Sequence, residues 1–222
     1  MRPGLRILDL SSGTGQPALD LARAVGPAGH VTATDLSPAM LAIAEANAGA
    51  IGATNIAFRQ ADAEELPFPD ASFDYVYSWG VLHHSPDLAR SIAELFRVLR
   101  PGGGFGVMVY HRRSFLHWYM TRYVEGFLHF EGEFLDPLQL ASRYGDAARE
   151  EGNPHTWPVT RRELLDTVRP HSDDAAIRVL GTDLDSVLVL MAPGLGSVMP
   201  AWMKKPWARR FGWSLWVSGH RR

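Results

Sequence analysis

The chain contains no cysteine, which excludes disulfide frameworks, thiolate-bound metal sites and cysteine nucleophiles. No stretch approaches the roughly 18 apolar residues that a membrane-spanning helix needs, so no transmembrane segment is expected. The first residues lead straight into a strand-like segment and do not have the pattern of a signal peptide. These absences fit a cytoplasmic protein.

The sequence also lacks a large excess of either charge, with a formal net charge of −2 in 222 residues. The charge is nevertheless uneven, because residues 1–185 hold 16 basic against 24 acidic residues. That balance makes the bulk of the chain a poor electrostatic match for nucleic acid, and no nucleic-acid partner is expected. Residues 186–222 hold 6 basic residues, no acidic residue and four of the 7 tryptophans, so only this tail could attract an anionic surface.

Strand-like and helix-like segments alternate over the first 110 residues. The predicted strands lie at 5–10, 30–34, 55–59, 73–77 and 105–110. Between the first two, Ala18, Leu21, Ala22 and Val25 recur at helical spacing. Such alternation predicts an α/β fold with a doubly wound, mostly parallel sheet. In these sheets ligands bind beyond the carboxyl ends of the strands, so the loops after strands one, two and four should share one crevice.

The pattern changes after residue 110. Helices are predicted at about 114–129, 136–150 and 161–168, the last from a capping box that begins at Thr160. Two late strands at 177–180 and 213–217, one of them antiparallel, complete a seven-stranded sheet. We interpret residues 1–222 as one domain in which a helical insertion, residues 111–160, covers the crevice as a lid.

A glycine-rich turn of the form G-x-G-x-x-A occupies residues 13–18, directly after the first strand. Glycines allow close backbone approach to a ligand, and a helix N-terminus favours negative groups. Asp35 ends the second strand 20 residues beyond Gly15, where a carboxylate can accept both hydroxyls of a ribose. A tight turn and a helix cap are the structural alternatives. Either a nicotinamide dinucleotide or S-adenosylmethionine would satisfy this pattern.

Later segments discriminate between the two cofactors. After strand three, Asp62 can accept a hydrogen bond from an exocyclic amine, and the adjacent amide can donate to a ring nitrogen. Together these groups would recognise an adenine edge. The segment FDYVYSWGVLHH then fills residues 73–84, and LRPGGGF fills residues 99–105.

This ordered set resembles the class I S-adenosylmethionine-dependent methyltransferases, and within them the broad group of ubiquinone/menaquinone C-methyltransferases. The resemblance covers residues 5–110 and implies a Rossmann-like fold with S-adenosyl-L-methionine as cofactor. It assigns cofactor contacts to ten residues. They are Asp9, Ser11, Gly13 and Gly15 for the amino-acid part, Asp35 for the ribose, Leu36, Asp62 and Ala63 for the adenine, and Ser78 and Trp79 for the region of the methionine.

Two features depart from the family pattern. Ser11 stands where the first glycine is usual, and we expect cofactor binding to survive this small side chain. Relatives usually carry a helical segment before strand one, whereas strand one begins by residue 5 here. The sequence is then a fragment, or its start is assigned too late, or residues 111–160 alone close the pocket.

The resemblance implies in-line transfer of a methyl group to a small-molecule acceptor, without a covalent enzyme intermediate. A general base is needed only if the acceptor loses a proton. His83 is the first candidate, followed by His84, Tyr110 and His111, although the two adjacent histidines could simply form the loop. No spacing matches a metal motif, so no metal site is predicted.

The aromatic side chains of residues 111–160 would suit an apolar or aromatic acceptor, or they are ordinary core. The basic, tryptophan-rich tail would permit peripheral membrane contact, but a helix and strand packed on the sheet are favoured. Two other functions stay open. One is a non-catalytic S-adenosylmethionine-binding module, and the other is a nicotinamide-dependent oxidoreductase.

Overall fold

The computed structural model describes residues 2–144, 155–181 and 200–222. In these residues seven strands form one sheet. They are β1 (Arg6–Leu10), β2 (His30–Asp35), β3 (Ile56–Gln60), β4 (Phe73–Trp79), β5 (Leu99–Tyr110), β6 (Ala176–Leu180) and β7 (Ser214–His220).

The helices of the described residues pack around this sheet. They are α1 (Gln16–Val25), α2 (Pro38–Ala50), α3 (Leu88–Val98), a π-helix (His117–Leu128), α4 (Pro137–Tyr144), α5 (Arg161–Val168) and α6 (Ala201–Phe211). Short 3₁₀ turns lie at Leu82–His84 and Glu131–Glu133.

The strand order in the sheet is β3-β2-β1-β4-β5-β7-β6. The pairs from β3 to β5 are parallel, and β7 runs antiparallel to both β5 and β6. The predicted doubly wound, mostly parallel sheet with a late antiparallel strand is confirmed. The order reverses direction at β1 and β4, which places the crevice above the carboxyl ends of these strands.

Local sequence signals explain the first helices. Pro17 lies in the first turn of α1, and the chain leaves that helix at Gly26, whose φ is +67°. Ser37 caps α2 because its hydroxyl accepts a hydrogen bond from the Met40 amide at 3.4 Å. The capping box of Thr160 and Glu163 is present at the start of α5.

Two apolar clusters cover the two faces of the sheet. The larger one packs Leu8 with Leu95 of α3 and Leu164 of α5. The smaller one packs Ile7 with Val25 of α1 and Val31 of β2. Since side chains alternate along a strand, β1 contributes Ile7 to the smaller cluster and Leu8 and Leu10 to the larger one. This burial fixes the positions of the loops that extend beyond the carboxyl edge.

The fifth strand begins earlier than the sequence predicts. We expected a break at residues 100–104 and a strand from 105, but β5 starts at Leu99, directly after α3. Leu99 of β5 pairs with Phe73 of β4, and Gly104 of β5 pairs with Tyr75 of β4. Between these two pairs β5 has more residues than β4, so its start is irregular. The proline–glycine run does end the helix, but it forms an irregular strand start.

Two further expectations need correction. The segment predicted as a helix at 114–129 is mostly a π-helix, and the helix predicted at 136–150 is described as far as Tyr144, with residues 145–150 outside the described part. Pro206 lies inside α6. In the described part of the chain, no helix is both long and apolar enough to cross a membrane.

Candidate cofactor and acceptor site

The loop after β1 is held against β2 by Thr34. The Thr34 hydroxyl accepts from the Ser11 amide at 3.4 Å and donates to the Asp9 carbonyl at 3.2 Å. The Thr34 carbonyl accepts from the Ser12 amide at 2.7 Å and from the Ser12 hydroxyl at 3.2 Å. These bonds make the loop turn at a fixed place, although no sequence pattern singles out Thr34.

Three residues of this loop have left-handed backbone. Their φ angles are +64° at Ser11, +54° at Gly13 and +86° at Gly15. Glycine adopts this conformation without steric cost, whereas a side chain costs about 1–2 kcal/mol. The departure at Ser11 therefore has a local conformational cost, and the loop nevertheless keeps its shape.

Gly15 is required for a second reason. A Cβ atom built at Gly15 would lie 2.7 Å from the Cβ of Ala44 in α2, closer than such atoms approach in proteins. At Gly13 nothing lies within 4 Å of the added atom. Gly15 thus allows α2 to pack on the loop, whereas Gly13 leaves its surroundings open to a ligand.

Asp35 joins the loops after β1, β2 and β3. One carboxylate oxygen accepts from the Gly13 amide at 2.9 Å, and the other accepts from the Ser37 amide at 2.9 Å. The Asp35 carbonyl accepts from the Ala61 amide at 3.1 Å. The helix-cap alternative is therefore partly realised, and the carboxylate retains lone pairs for further donors.

The third loop lies beside the second. The Gln60 side-chain amide donates to the carbonyl of Leu36 at 3.0 Å, and the Leu36 side chain is exposed. One Asp62 carboxylate oxygen accepts from the Glu64 amide at 2.9 Å. Ala63 packs its methyl group against the larger core cluster, and within the described residues its amide hydrogen has no acceptor. These are open polar groups of the kind that an adenine edge requires.

Asp9 is a buried acid at the base of the crevice. Its side chain shares a face of the sheet with Tyr77, its register partner on β4. Among the described residues, one of its carboxylate oxygens is buried without a hydrogen-bond partner. Burial, and to a smaller extent the nearby Asp35 carboxylate, raises the pKa of Asp9 to about 7. A cationic group beside Asp9 would relieve this penalty.

Ser78 and Trp79 lie on opposite faces of β4, because neighbouring side chains alternate along a strand. Trp79 is half exposed and stacks on Tyr77 with 6.3 Å between ring centres, so it lies on the face of Asp9. Ser78 is fully buried, and its hydroxyl has no hydrogen-bond partner among the described residues. The two side chains therefore cannot both contact the methionine part of the cofactor. If both residues contact it, one of them does so through its backbone.

His83 lies inside the molecule in the 3₁₀ turn that follows β4. Its ring packs 3.7 Å from the Tyr110 ring and 4.1 Å from the His84 ring, measured between centres. Both of its ring nitrogens are buried without a partner in the described part of the chain. Burial, followed by repulsion from His84, lowers the pKa of His83 well below its usual value. The imidazole is thus neutral, and its surroundings disfavour the protonated form.

Glu64 connects the third loop to the loop after β4, a role that its position in the sequence does not reveal. Its carboxylate accepts from the Ser85 hydroxyl and from the Asp87 amide, the latter at 2.8 Å. Its carbonyl accepts from the Arg90 guanidinium at 2.9 Å. Together with the bonds at Asp35, these contacts join the loops after β1, β2, β3 and β4 in a continuous chain.

The aromatic side chains of the insertion are arranged in a row along the π-helix. Ring centres are 5.8 Å apart for Phe115 and Trp118, 5.8 Å for Trp118 and Tyr123, and 5.9 Å for Tyr123 and Phe127. Trp118, Tyr123 and Phe127 are exposed, so the core interpretation does not apply to them. The buried residues of this helix are instead His117 and Thr121.

Comparisons with known proteins give the family. A family model described as a methyltransferase domain matches residues 7–103. The ubiquinone/menaquinone biosynthesis C-methyltransferase UbiE of Methylobacterium nodulans is 45% identical over 101 residues, which are 45% of this chain and 40% of that protein. UbiE of Vibrio campbellii is 31% identical over 188 residues, which are 79% of this chain and 62% of that protein. The chain thus spans less than two thirds of the length of either relative.

The fold has a counterpart among solved structures. A crystal structure of an S-adenosylmethionine-dependent methyltransferase from Mesorhizobium loti is 23% identical, with a TM-score of 0.63, and the match covers 99% of this chain and 92% of that one. The glycine loop, Asp35 and the third loop lie inside the segment that the family model matches. The nicotinamide alternative finds no support in these comparisons. Residues 7–103 thus match a methyltransferase domain, the fold is that of a solved S-adenosylmethionine-dependent methyltransferase, and the cofactor that these similarities imply is S-adenosyl-L-methionine.

Proposed function

We propose that this protein transfers a methyl group from S-adenosylmethionine to an aromatic or otherwise apolar small molecule. The observation that carries the proposal is the junction at Asp35, where the Gly13 and Ala61 amides meet one residue at 2.9 and 3.1 Å. A nucleoside held there would reach three loops at once. The cofactor supplies an electrophilic methyl group on a sulfonium sulfur, and the acceptor displaces it in line.

The residues present fit this cofactor. The buried, unpartnered oxygen of Asp9 suits the ammonium group of the amino-acid part, because ion pairing would stabilise the carboxylate. Gly13 and Ser11 would place backbone beside the same part. Asp35 would accept from the ribose hydroxyls, while Asp62 and the Ala63 amide would bind the adenine edge beside Leu36.

His83 is our first candidate for a general base where the acceptor loses a proton. Its nitrogens are free of protein partners in the described residues, and in the neutral ring the nitrogen without a hydrogen can accept a proton. The low pKa keeps the ring unprotonated at neutral pH, but it also makes His83 a weaker base than an ordinary histidine. Its contribution to the rate is therefore expected to be modest.

The acceptor is proposed to lie between the cofactor loops and the insertion, residues 111–160, which would act as its lid within a single domain. The relatives are named as C-methyltransferases of ubiquinone/menaquinone biosynthesis, and these names point to a quinone-type acceptor that is methylated on carbon. The exposed aromatic row of the π-helix supports an apolar acceptor. Identity is 45% over 101 residues in the Methylobacterium nodulans match but 31% over 188 residues in the Vibrio campbellii match, so the lid is free to select another compound.

Methyl transfer is tested by incubating the protein with methyl-labelled S-adenosylmethionine and a small-molecule extract, followed by mass spectrometry. We expect a product that is heavier by one labelled methyl group. Asp35→Ala should abolish it, whereas Asp20→Ala, which removes an exposed carboxylate on α1, should retain it. Absence of labelled product from every extract, with cofactor binding intact, would instead favour a non-catalytic binding module, the alternative that the burial of His83 supports.

A further inference from the structure

A second cavity lies at the other half of the sheet edge, away from the glycine loop. Its volume is about 510 Å³, and it is formed where β5, α5 and α6 meet. Four arginines line it, and among the described residues no acidic side chain does. The lining of the cavity includes His111, Arg113, Arg161, Arg162, Arg210 and Phe211.

Most of these guanidinium groups have no compensating acid. In the described residues no carboxylate lies within 4.0 Å of the side chains of Arg113, Arg161 or Arg210. Arg162 lies 3.6 Å from Asp166, and both of these side chains are exposed. The cavity therefore gathers positive charge that the described part of the protein does not neutralise.

Glu163, an acid in the first turn of α5, is already engaged by other groups. Glu163 accepts from the Arg112 guanidinium at 2.9 Å and from the Thr160 amide at 2.8 Å. Arg161 donates to the carbonyl of Arg209 at 2.8 Å, which brings the tail to the start of α5. The basic residues that the sequence concentrates after residue 186 thus partly face this cavity.

His111 forms the buried wall of the cavity. Its Nδ1 lies 3.0 Å from the carbonyl of Gly212. Burial lowers the pKa of His111, the Gly212 carbonyl opposes that change, and Arg161 and Arg113 lower the pKa further. The positive field of Arg161 and Arg113 thus acts on His111, and it would act equally on an anion that enters the cavity.

We propose that this cavity binds a phosphate-type oxyanion. Arginine presents a planar fork of donors that matches phosphate oxygens in pairs, and four arginines line this cavity. The volume exceeds what a single phosphate fills, and Phe211 supplies an apolar wall for the remainder of a small molecule. The charge of the site selects the oxyanion, and the cavity size admits the organic group that carries it.

The position of the cavity gives two possible sources for the oxyanion. His111 follows Tyr110, whose ring contacts His83, so the cavity adjoins the half of the crevice assigned to the acceptor. The oxyanion is then either a group of the methyl acceptor or part of a separate phosphate compound. The first assignment rests on the proposed function, and the second does not.

The site itself is tested by calorimetry with inorganic pyrophosphate at low ionic strength, where arginine–phosphate attraction is little screened. We expect binding by the unmodified protein and at least tenfold weaker binding by the double variant Arg113→Ala/Arg210→Ala. Neither arginine has a carboxylate partner in the described residues, so the variant leaves no orphaned acid there. Arg23→Ala, an exposed arginine on α1, is the matched control and should bind normally.

No binding by the unmodified protein, or equal binding by the double variant, would overturn the proposal. Binding of S-adenosylhomocysteine is measured on the same samples. Pyrophosphate binding without S-adenosylhomocysteine binding would retain the anion site while removing the proposed function. The reverse result would remove only the anion site.

The source of the oxyanion is identified from the labelled product of methyl transfer. Retention of that product on an anion exchanger, with release after phosphatase treatment, assigns the oxyanion to the acceptor. A product that passes through unretained overturns that assignment, and a separate phosphate compound is then the ligand of the arginine cavity.

Discussion

The two halves of the sheet edge are constructed differently. In the cofactor half, polar groups of different loops bond to one another, as Gly13 does to Asp35 and Gln60 to Leu36. In the acceptor half, the described aromatic side chains Trp118, Tyr123 and Phe127 are exposed and contact mainly each other. Backbone hydrogen bonds fix the shape of the first half, whereas side chains define the surface of the second.

This difference has a consequence for specificity. A site whose groups are held by backbone contacts is preorganised and tolerates little change. A surface made of exposed side chains can change by substitution without disturbing the fold. The chain can therefore share its cofactor loops with many relatives while accepting a different substrate. Substitutions in the cofactor half should therefore affect stability and cofactor binding, whereas substitutions in the other half should affect the choice of substrate.

The largest effect is expected at Gly15. Gly15→Ala adds a Cβ that would lie 2.7 Å from that of Ala44 on a backbone with φ of +86°. We expect a loss of about 2–4 kcal/mol in the free energy of unfolding, from overpacking and left-handed strain together. The matched control Gly13→Ala, with nothing within 4 Å, should lose about 1 kcal/mol. Urea denaturation measures both, and equal losses would contradict the packing role of Gly15.

Asp35→Ala should be the most damaging substitution for cofactor binding. It removes the acceptor of two backbone amides and of the proposed ribose contact. We expect binding of S-adenosylhomocysteine to weaken by roughly 1.5–3 kcal/mol, measured by calorimetry. Asp20→Ala on the outer face of α1 is the control. Unchanged affinity in Asp35→Ala would show that the cofactor sugar lies elsewhere.

Asp9→Asn should separate stability from binding. The pKa of Asp9 is about 7 in the folded protein, above its value in the unfolded chain, so ionisation destabilises the fold as pH rises from about 4 to 7. The variant does not ionise, and above pH 7 it should be about 1–3 kcal/mol more stable than the unmodified protein. This advantage should vanish near pH 4, while cofactor binding at pH 8 weakens about tenfold.

Urea denaturation of Asp9→Asn at pH 4 and pH 8 measures the effect, with Asp20→Asn as an exposed control. A stability difference that is the same at both pH values would contradict the assigned cause. Binding of S-adenosylhomocysteine to the unmodified protein should also strengthen from pH 6 to pH 8, because Asp9 becomes a carboxylate in that range.

The sequence predicts the two halves of the sheet edge to different extents, because one half is held by hydrogen bonds between loops and the other is formed by exposed side chains. The doubly wound, mostly parallel sheet depends on regular periodicity, and that prediction is confirmed. The glycine loop and Asp35 depend on local signals, and their contacts with the cofactor stay predictions. Thr34 and Glu64 could not be found, since their hydrogen bonds join residues that are distant in the chain. The burial of His83 depends on Tyr110 across the loops, and the π-helix has no distinct sequence pattern.

The smallest effect on folding is expected in the aromatic row. Phe127 is two-thirds exposed, so Phe127→Ala should change stability by less than about 0.5 kcal/mol and leave S-adenosylhomocysteine binding unchanged. The yield of labelled methyl product should nevertheless fall severalfold. Phe134→Ala, at an exposed phenylalanine outside the row, should retain the yield. Equal yields from both variants would remove the row from the acceptor site.

The proposed cofactor site depends most on three loops binding one nucleoside together. Amide NMR during a titration with S-adenosylhomocysteine observes each loop separately in the intact protein. We predict that the amides of Gly13, Leu36 and Ala63 shift together and give one common dissociation constant. Shifts confined to a single loop, or no shifts at high micromolar ligand in the folded protein, would contradict the account.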